Sequence, residues 1–171
     1  MKQLWITLLC STISFATIND INSFKADFMQ SVTDDKNVSL HYSGNLSAQK
    51  PQNAIWHYTK PINKDVYINQ FNITIIEPEI EQVIIRKIKS NFDFFMLIKN
   101  AVKVKENTYI ASYKGTEFTI MIKNNFIQSI FYKDEFENDV KIIFTKQQQN
   151  TKMEKEIFVA KYPLEFDIIR D

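Results

Sequence analysis

The chain has 171 residues, enough for one domain with a sizeable core. Its 21 Lys and Arg nearly balance its 20 Asp and Glu, so no basic surplus is available for counterion-driven nucleic-acid binding or for a polybasic membrane tether. A single Cys, two His and two Gly leave no thiolate metal set, no disulfide and no glycine-rich phosphate loop.

Residues 1–16 read as an export signal. Lys2 supplies the positive start, Leu4 to Ile13 the apolar core, and Ser14-Phe15-Ala16 a small-x-small cleavage site. The apolar stretch is shorter than the roughly 20 residues that span a bilayer, so cleavage is favoured over a signal anchor. Cleavage would remove Cys10 and Lys2 and leave a formally neutral domain over residues 17–171.

After a short polar lead, alternation with period two begins. Phe24, Ala26, Phe28 and Val32 share one face, as do Leu40, Tyr42, Gly44, Leu46 and Ala48, and both runs predict strands with one apolar and one wet side. Asp34-Asp35-Lys36-Asn37 between them predicts a hairpin loop. Two Lys-Pro steps, Lys50-Pro51 and Lys60-Pro61, then bracket a strand on which Ala54, Trp56 and Tyr58 lie on one face.

Further strands are predicted over 66–69, 71–76 and, after the Glu77-Pro78 break, 79–88. Ile75 with Ile76, and Ile84 with Ile85, load both faces there, so these strands need cover on two sides, or a ligand or lid on one. Phe92, Phe95, Met96 and Lys99, together with Phe94, Leu97, Ile98 and Ala101, follow helical spacing, and Ser90 with Asp93 forms a capping box. That helix is apolar nearly all round and must be sandwiched or lie over apolar surface.

Strands at 109–113, 118–123, 126–132 and 140–145 follow. Lys114-Gly115 and Asn124-Asn125 suit tight turns between them. The polar stretch 147–156 reads as a loop or short exposed helix, and 163–169 as a last extended piece. Nine or more antiparallel strands and one apolar helix predict a strongly curved sheet or open barrel.

No catalytic constellation stands out. His41 and His57 sit on wet strand faces, and the acidic runs at Glu77, Glu79, Glu81 and at Asp134, Glu135, Glu137 fall in turns where carboxylates are solvated. Neither a cofactor nor a metal is expected, and the chain does not read as an enzyme. Fourteen Phe, seven Tyr and two Trp are the feature to explain.

Four segments in order resemble the LolA family of periplasmic outer-membrane lipoprotein carriers. They are Ser23-Phe24-Lys25-Ala26-Asp27-Phe28-Met29-Gln30-Ser31-Val32-Thr33, then Lys50-Pro51 through Trp56-His57 to Thr59-Lys60-Pro61, then Pro78 with Glu81-Gln82-Val83, and Phe95-Met96-Leu97-Ile98-Lys99-Asn100. The resemblance implies a mainly β, incomplete antiparallel β-barrel whose apolar hollow is closed by a helical lid. It also implies a carrier that takes acylated lipoproteins from an inner-membrane ABC transporter toward an outer-membrane acceptor, as a monomer in the periplasm. On that reading Trp56, Tyr58, Val66, Phe95, Met96 and Ile98 are the apolar lining and lid contacts.

Lys50, where the family often has Arg, would be the lid latch, against the plainer reading of a solvated strand-end lysine. Ala54 stands where an aromatic is common and leaves room in the hollow. The rival expectations are a periplasmic lipid-sensing module with the same half-barrel and a partner-binding β domain with a filled core.

Overall fold

The computed structural model describes residues 21–88 and 93–170. The expected export segment and Ser90 and Phe92 lie outside them. Twelve strands form one sheet: β1 Ser23–Thr33, β2 Ser39–Gln49, β3 Asn53–Lys60, β4 Lys64–Ile68, β5 Asn72–Glu77, β6 Gln82–Lys87, β7 Val102–Lys105, β8 Thr108–Tyr113, β9 Thr116–Lys123, β10 Phe126–Lys133, β11 Asp139–Gln149 and β12 Asp167–Arg170. Their spatial order is β12-β6-β5-β4-β3-β2-β1-β11-β10-β9-β8-β7. All neighbours are antiparallel except β12, which runs parallel to β6. The two edge strands do not pair with each other, so the sheet curls into a barrel that stays open, as the patterning predicts. Among the described residues there is one α-helix, α1 (Phe94–Lys99), which lies in the chain between β6, next to the β12 edge, and β7, the opposite edge strand.

Turn chemistry fixes the ends of these strands. Asp34 Oδ1 accepts from the amides of Lys36 and Val38, and Asp134 Oδ1 does the same for Phe136 and Asn138. Hydrogen bonds of this kind give the chain a side-chain-defined turn. Asn124 and Asn125 both take positive φ, at 52° and 63°, and Gly115 takes 86°, which closes the β9–β10 and β8–β9 hairpins. Gly44 has a different reason. A Cβ there would stand 1.9 Å from the backbone oxygen of His57, at the point where the β2–β3 register slips past Thr59.

The structure also revises several expectations. β7 has no counterpart in the sequence reading, because four residues of Val-Lys alternation are too short a signal. Pro78–Ile80 is a 3₁₀ turn, so β6 begins only at Gln82. The stretch 147–156, read as a loop or short exposed helix, is still strand until Gln149. A 3₁₀ turn at Lys155–Phe158 follows it, and this turn buries Phe158.

The core is the concave side of the sheet. Phe24, Ala26 and Phe28 of β1 meet Leu46 and Ala48 of β2 and Ile120, Ile127, Ile142 and Phe144 from β9 to β11. A second, smaller buried set lies on the convex side. Ile76 and Val83 are cross-strand partners, 5% and 0% exposed, and neither belongs to the interior cluster. The C-terminal segment covers that side. It is fastened to the start of β1 by Asn22 N to Asn150 Oδ1 (2.7 Å) and Ser23 Oγ to Thr151 O (2.7 Å). It then packs its 3₁₀ turn against β3 and ends as β12. The doubly loaded strands β5 and β6 therefore bury Ile76 and Val83 on one face, while Ile75 and Ile84 on the other stay half-buried.

Candidate functional site

One row of apolar side chains crosses the concave face from the buried centre to an open edge. The strand registers align Ala26, Leu46, Trp56, Val66, Ile75, Ile84 and Ile169 as successive cross-strand neighbours. Ala26 and Leu46 are fully buried, the next four half-buried, and Ile169 is 42% exposed. The barrel thus unrolls toward β12 and leaves a partly exposed aliphatic wall.

Facing this wall is the β9–β11 side, with Phe118, Ile130, Tyr132 and Ile142. α1 lies across the gap and contributes Phe94, Phe95 and Leu97. Between them is a cavity of about 150 Å³, which Leu46, Ala48, Ala54, Trp56 and Ile68 close on the other side. Ala48 and Ala54 are direct cross-strand partners, and two small side chains side by side leave part of this space. Apolar space of such size accepts small apolar guests.

α1 is short and held at few points. Asp93 caps it through Oδ1, which accepts from Phe95 N at 2.8 Å and Met96 N at 3.3 Å. Phe95, Leu97 and Ile98 are buried, and the helix packs on β8. Lys50, at the end of β2, reaches it from the rim. Its Nζ lies 5.9 Å from the centroid of the Phe95 ring and donates to Asn22 Oδ1 at 3.1 Å.

The residues singled out from sequence fall into distinct places. Trp56 and Phe95 line the cavity. Val66 stands opposite Trp56 on the open wall and does not line the pocket. Ile98, 1% exposed, is packed into the core below the cavity lining. Met96 is 51% exposed and borders an outer groove with Phe71 and Tyr113.

Tyr58 lies past Trp56 on the same face, its ring against Phe28 (5.1 Å) and Tyr42 (5.9 Å). Its hydroxyl donates to Gln30 Oε1 at 3.2 Å, and Lys64 Nζ sits 4.8 Å from its ring. Burial, and then the neighbouring Tyr132 and Tyr42 hydroxyls, push the Tyr58 pKa up to about 12. Burial, with Asp134 second, raises that of Tyr132 too. Both phenols therefore stay neutral, and the interior carries no charge from them.

Leu46, Phe94, Leu97, Phe118, Ile130, Tyr132 and Ile142 also line the site and were not singled out from the sequence. Alternation puts most of them on inward faces, but their meeting across the hollow depends on the curl of the sheet. On the convex face His57 pairs with Asp65 across β3 and β4. Among the described residues no group of three His, Cys, Asp or Glu gathers as a metal site, and no helix is long and apolar enough to cross a membrane.

An open, mostly antiparallel sheet curled round an apolar pocket, with a short helix across it, is the fold class of half-open β-barrels with a helical lid. The family model described as outer membrane lipoprotein carrier protein LolA matches residues 19–117. The chain belongs to that family. It is 38% identical over 156 residues to the outer-membrane lipoprotein carrier protein of Campylobacter jejuni, covering 91% of each chain. It is 29% identical over 168 residues to that of Wolinella succinogenes, covering 98% of this chain and 96% of the relative.

Among solved structures, an uncharacterized conserved protein from Thermus thermophilus superposes with a TM-score of 0.54 at 12% identity, covering 90% of this chain and 93% of the other. A LolA superfamily protein from Nitrosomonas europaea gives 0.50 at 7% identity, covering 82% and 91%. These two likenesses concern the fold alone.

Proposed function

We propose that this chain carries outer-membrane lipoproteins through the periplasm, holding their acyl chains in the concave apolar site under α1. The observation that carries this reading is the cavity itself, bounded by Trp56 and Phe95 and continued by the open wall of Val66, Ile75 and Ile84. A domain with a filled core would have no use for such a space.

Energetics supports a mobile lid. A pocket of 150 Å³ is about right for benzene, so sheltering whole acyl chains beneath α1 calls for the helix to move. Exposing Phe95, Leu97 and Ile98 costs roughly 5–9 kcal/mol at about 1.5–3 kcal/mol per side chain. Each methylene sheltered in return contributes ~0.8 kcal/mol, so about ten methylenes offset the opening. A lipid bilayer offers acyl chains the same shelter, so loading needs an energised partner. An inner-membrane ABC transporter fills that role in this reading, and an outer-membrane acceptor receives the cargo.

The export-signal pattern at 1–16 and the lipoprotein-carrier family support a periplasmic location, and the near balance of charged residues suits a monomer that touches membranes only in passing. Chemistry on the cargo forms no part of the reading. The test is to add the protein to spheroplasts and look for released lipoprotein in a soluble one-to-one complex. Its loss with Trp56→Asp is the expected result. Failure of the wild-type chain to bind a fluorescent apolar probe, or to exchange it for a diacylated peptide, would sink the proposal.

A further inference from the structure

Apart from the Trp56 indole and the Tyr132 phenol, the polar side chains lining the cavity are Gln52, Asn53 and Asp93. Gln52 of the β2–β3 turn, Asp93 at the start of α1 and Leu97 within it also line the outer groove, where Gln70, Asn100 and Ser112 add neutral polar groups. The two spaces therefore adjoin along the seam between that turn and the helix. Among the described residues Asp93 is the only charged side chain lining either space. It is half-buried. Its Oδ1 accepts from the amides of Phe95 and Met96, and among the described residues the carboxylate has no ion-pair partner.

In an acylated polypeptide the fatty chains and the peptide part at a single residue. Chains held in the cavity put that residue where apolar lining gives way to polar, on the seam beside Asp93, and the peptide leaves along the groove. Taking the carrier reading as given, we propose that Asp93 determines cargo specificity. It receives the ammonium of an acylated N-terminal residue whose α-amino group is free, in preference to one whose amine is itself acylated. An α-amino group has a pKa of about 8 and is mostly charged at about pH 7, and a carboxylate partly withdrawn from water attracts it more strongly than an exposed one. An N-acyl amide carries no charge, so closing the site on it strips water from Asp93 without compensation.

The test is one S-diacylglyceryl lipopeptide with its α-amino group free, N-methylated or N-acetylated, each form competed against a fluorescent apolar probe. Wild type should bind the free and methylated forms, which keep the charge, about fivefold more tightly than the acetylated one, as a partly exposed ion pair would give. The difference should vanish at about 1 M salt. Asp93→Asn keeps an equally good helix cap and should bind all the forms alike. Gln52→Lys, which puts a cation on the same seam, should also lose the preference, and it decides the matter if the Asn variant does not fold. Equal affinities in wild type, or a preference that survives the salt or persists in a folded variant, overturn the role of Asp93 and leave the carrier reading standing. Absence of binding by wild type in every form overturns both.

Discussion

Lys50 Nζ stands 5.9 Å from the centre of the Phe95 ring, so the rim of the barrel touches the lid through a lysine over an aromatic face. An exposed contact of this kind contributes about 0.5–1 kcal/mol. Lys50 is also tied to Asn22 through both its backbone amide (2.9 Å) and its Nζ (3.1 Å), which aims the side chain.

Lys50→Met should therefore loosen the lid without unfolding the barrel. The expected change is a two- to fivefold rise in amide exchange within α1, the equivalent of about 0.5–1 kcal/mol, with the melting temperature nearly unchanged. Equal exchange in wild type and variant would show that Lys50 is only a solvated strand end.

Ala54→Leu tests the cavity from the inside. Ala54 lines the void beside Ala48, and filling such space commonly adds about 0.5–2 kcal/mol of stability. The variant should melt higher and bind an apolar probe at least tenfold more weakly. Unchanged probe binding would place the ligand elsewhere.

Gly44→Ala should be among the most damaging single changes outside the core. The new methyl would meet the His57 carbonyl at 1.9 Å, and backbone on both sides cannot yield without opening the β2–β3 bulge. A loss of about 2–4 kcal/mol is expected by chemical denaturation. A loss under half a kcal/mol would mean that the two strands part easily.

Tyr58 makes stability fall at high pH. Its pKa is pushed up from 10.0 to about 12, first by burial and then by Tyr132 and Tyr42, so the folded state holds the phenol proton more tightly than the unfolded chain does. That contribution is complete below pH 10.0 and is lost as the pH rises from there through about 12. It is on the order of 2 kcal/mol. Tyr58→Phe should flatten the alkaline limb of the stability curve, while costing about 1 kcal/mol at neutral pH through the lost bond to Gln30. An alkaline limb as steep as that of wild type would remove Tyr58 as its source.

Much of this architecture is local and so legible in the chain. Period-two runs identify Phe24–Phe28 and Leu46–Ala48 as inward-facing, and Asn124-Asn125 and Asp34 fix turns through backbone conformation and side-chain bonds that need no distant partner. The branched residues at Ile75, Ile76, Ile84 and Ile85 also announce strands loaded on two faces, one now a half-buried open wall and the other burying Ile76 against Val83. Helical spacing finds α1 but cannot orient it. Phe95 and Met96 are adjacent apolar residues, yet one is 5% exposed and the other 51%, because only one side of the helix meets β8 and the cavity.

The sequence by itself determined that this chain is a curved sheet with one loaded face and an apolar helix, since alternation, turn residues and helix period act over a few residues. Tertiary structure alone decided that Trp56, Val66, Ile75 and Ile84 form one row, and that Phe118 and Tyr132 meet Trp56 across one apolar pocket. These are contacts between residues tens of positions apart, set by strand register and by the coil of the whole sheet, and no local pattern encodes the distance across a hollow.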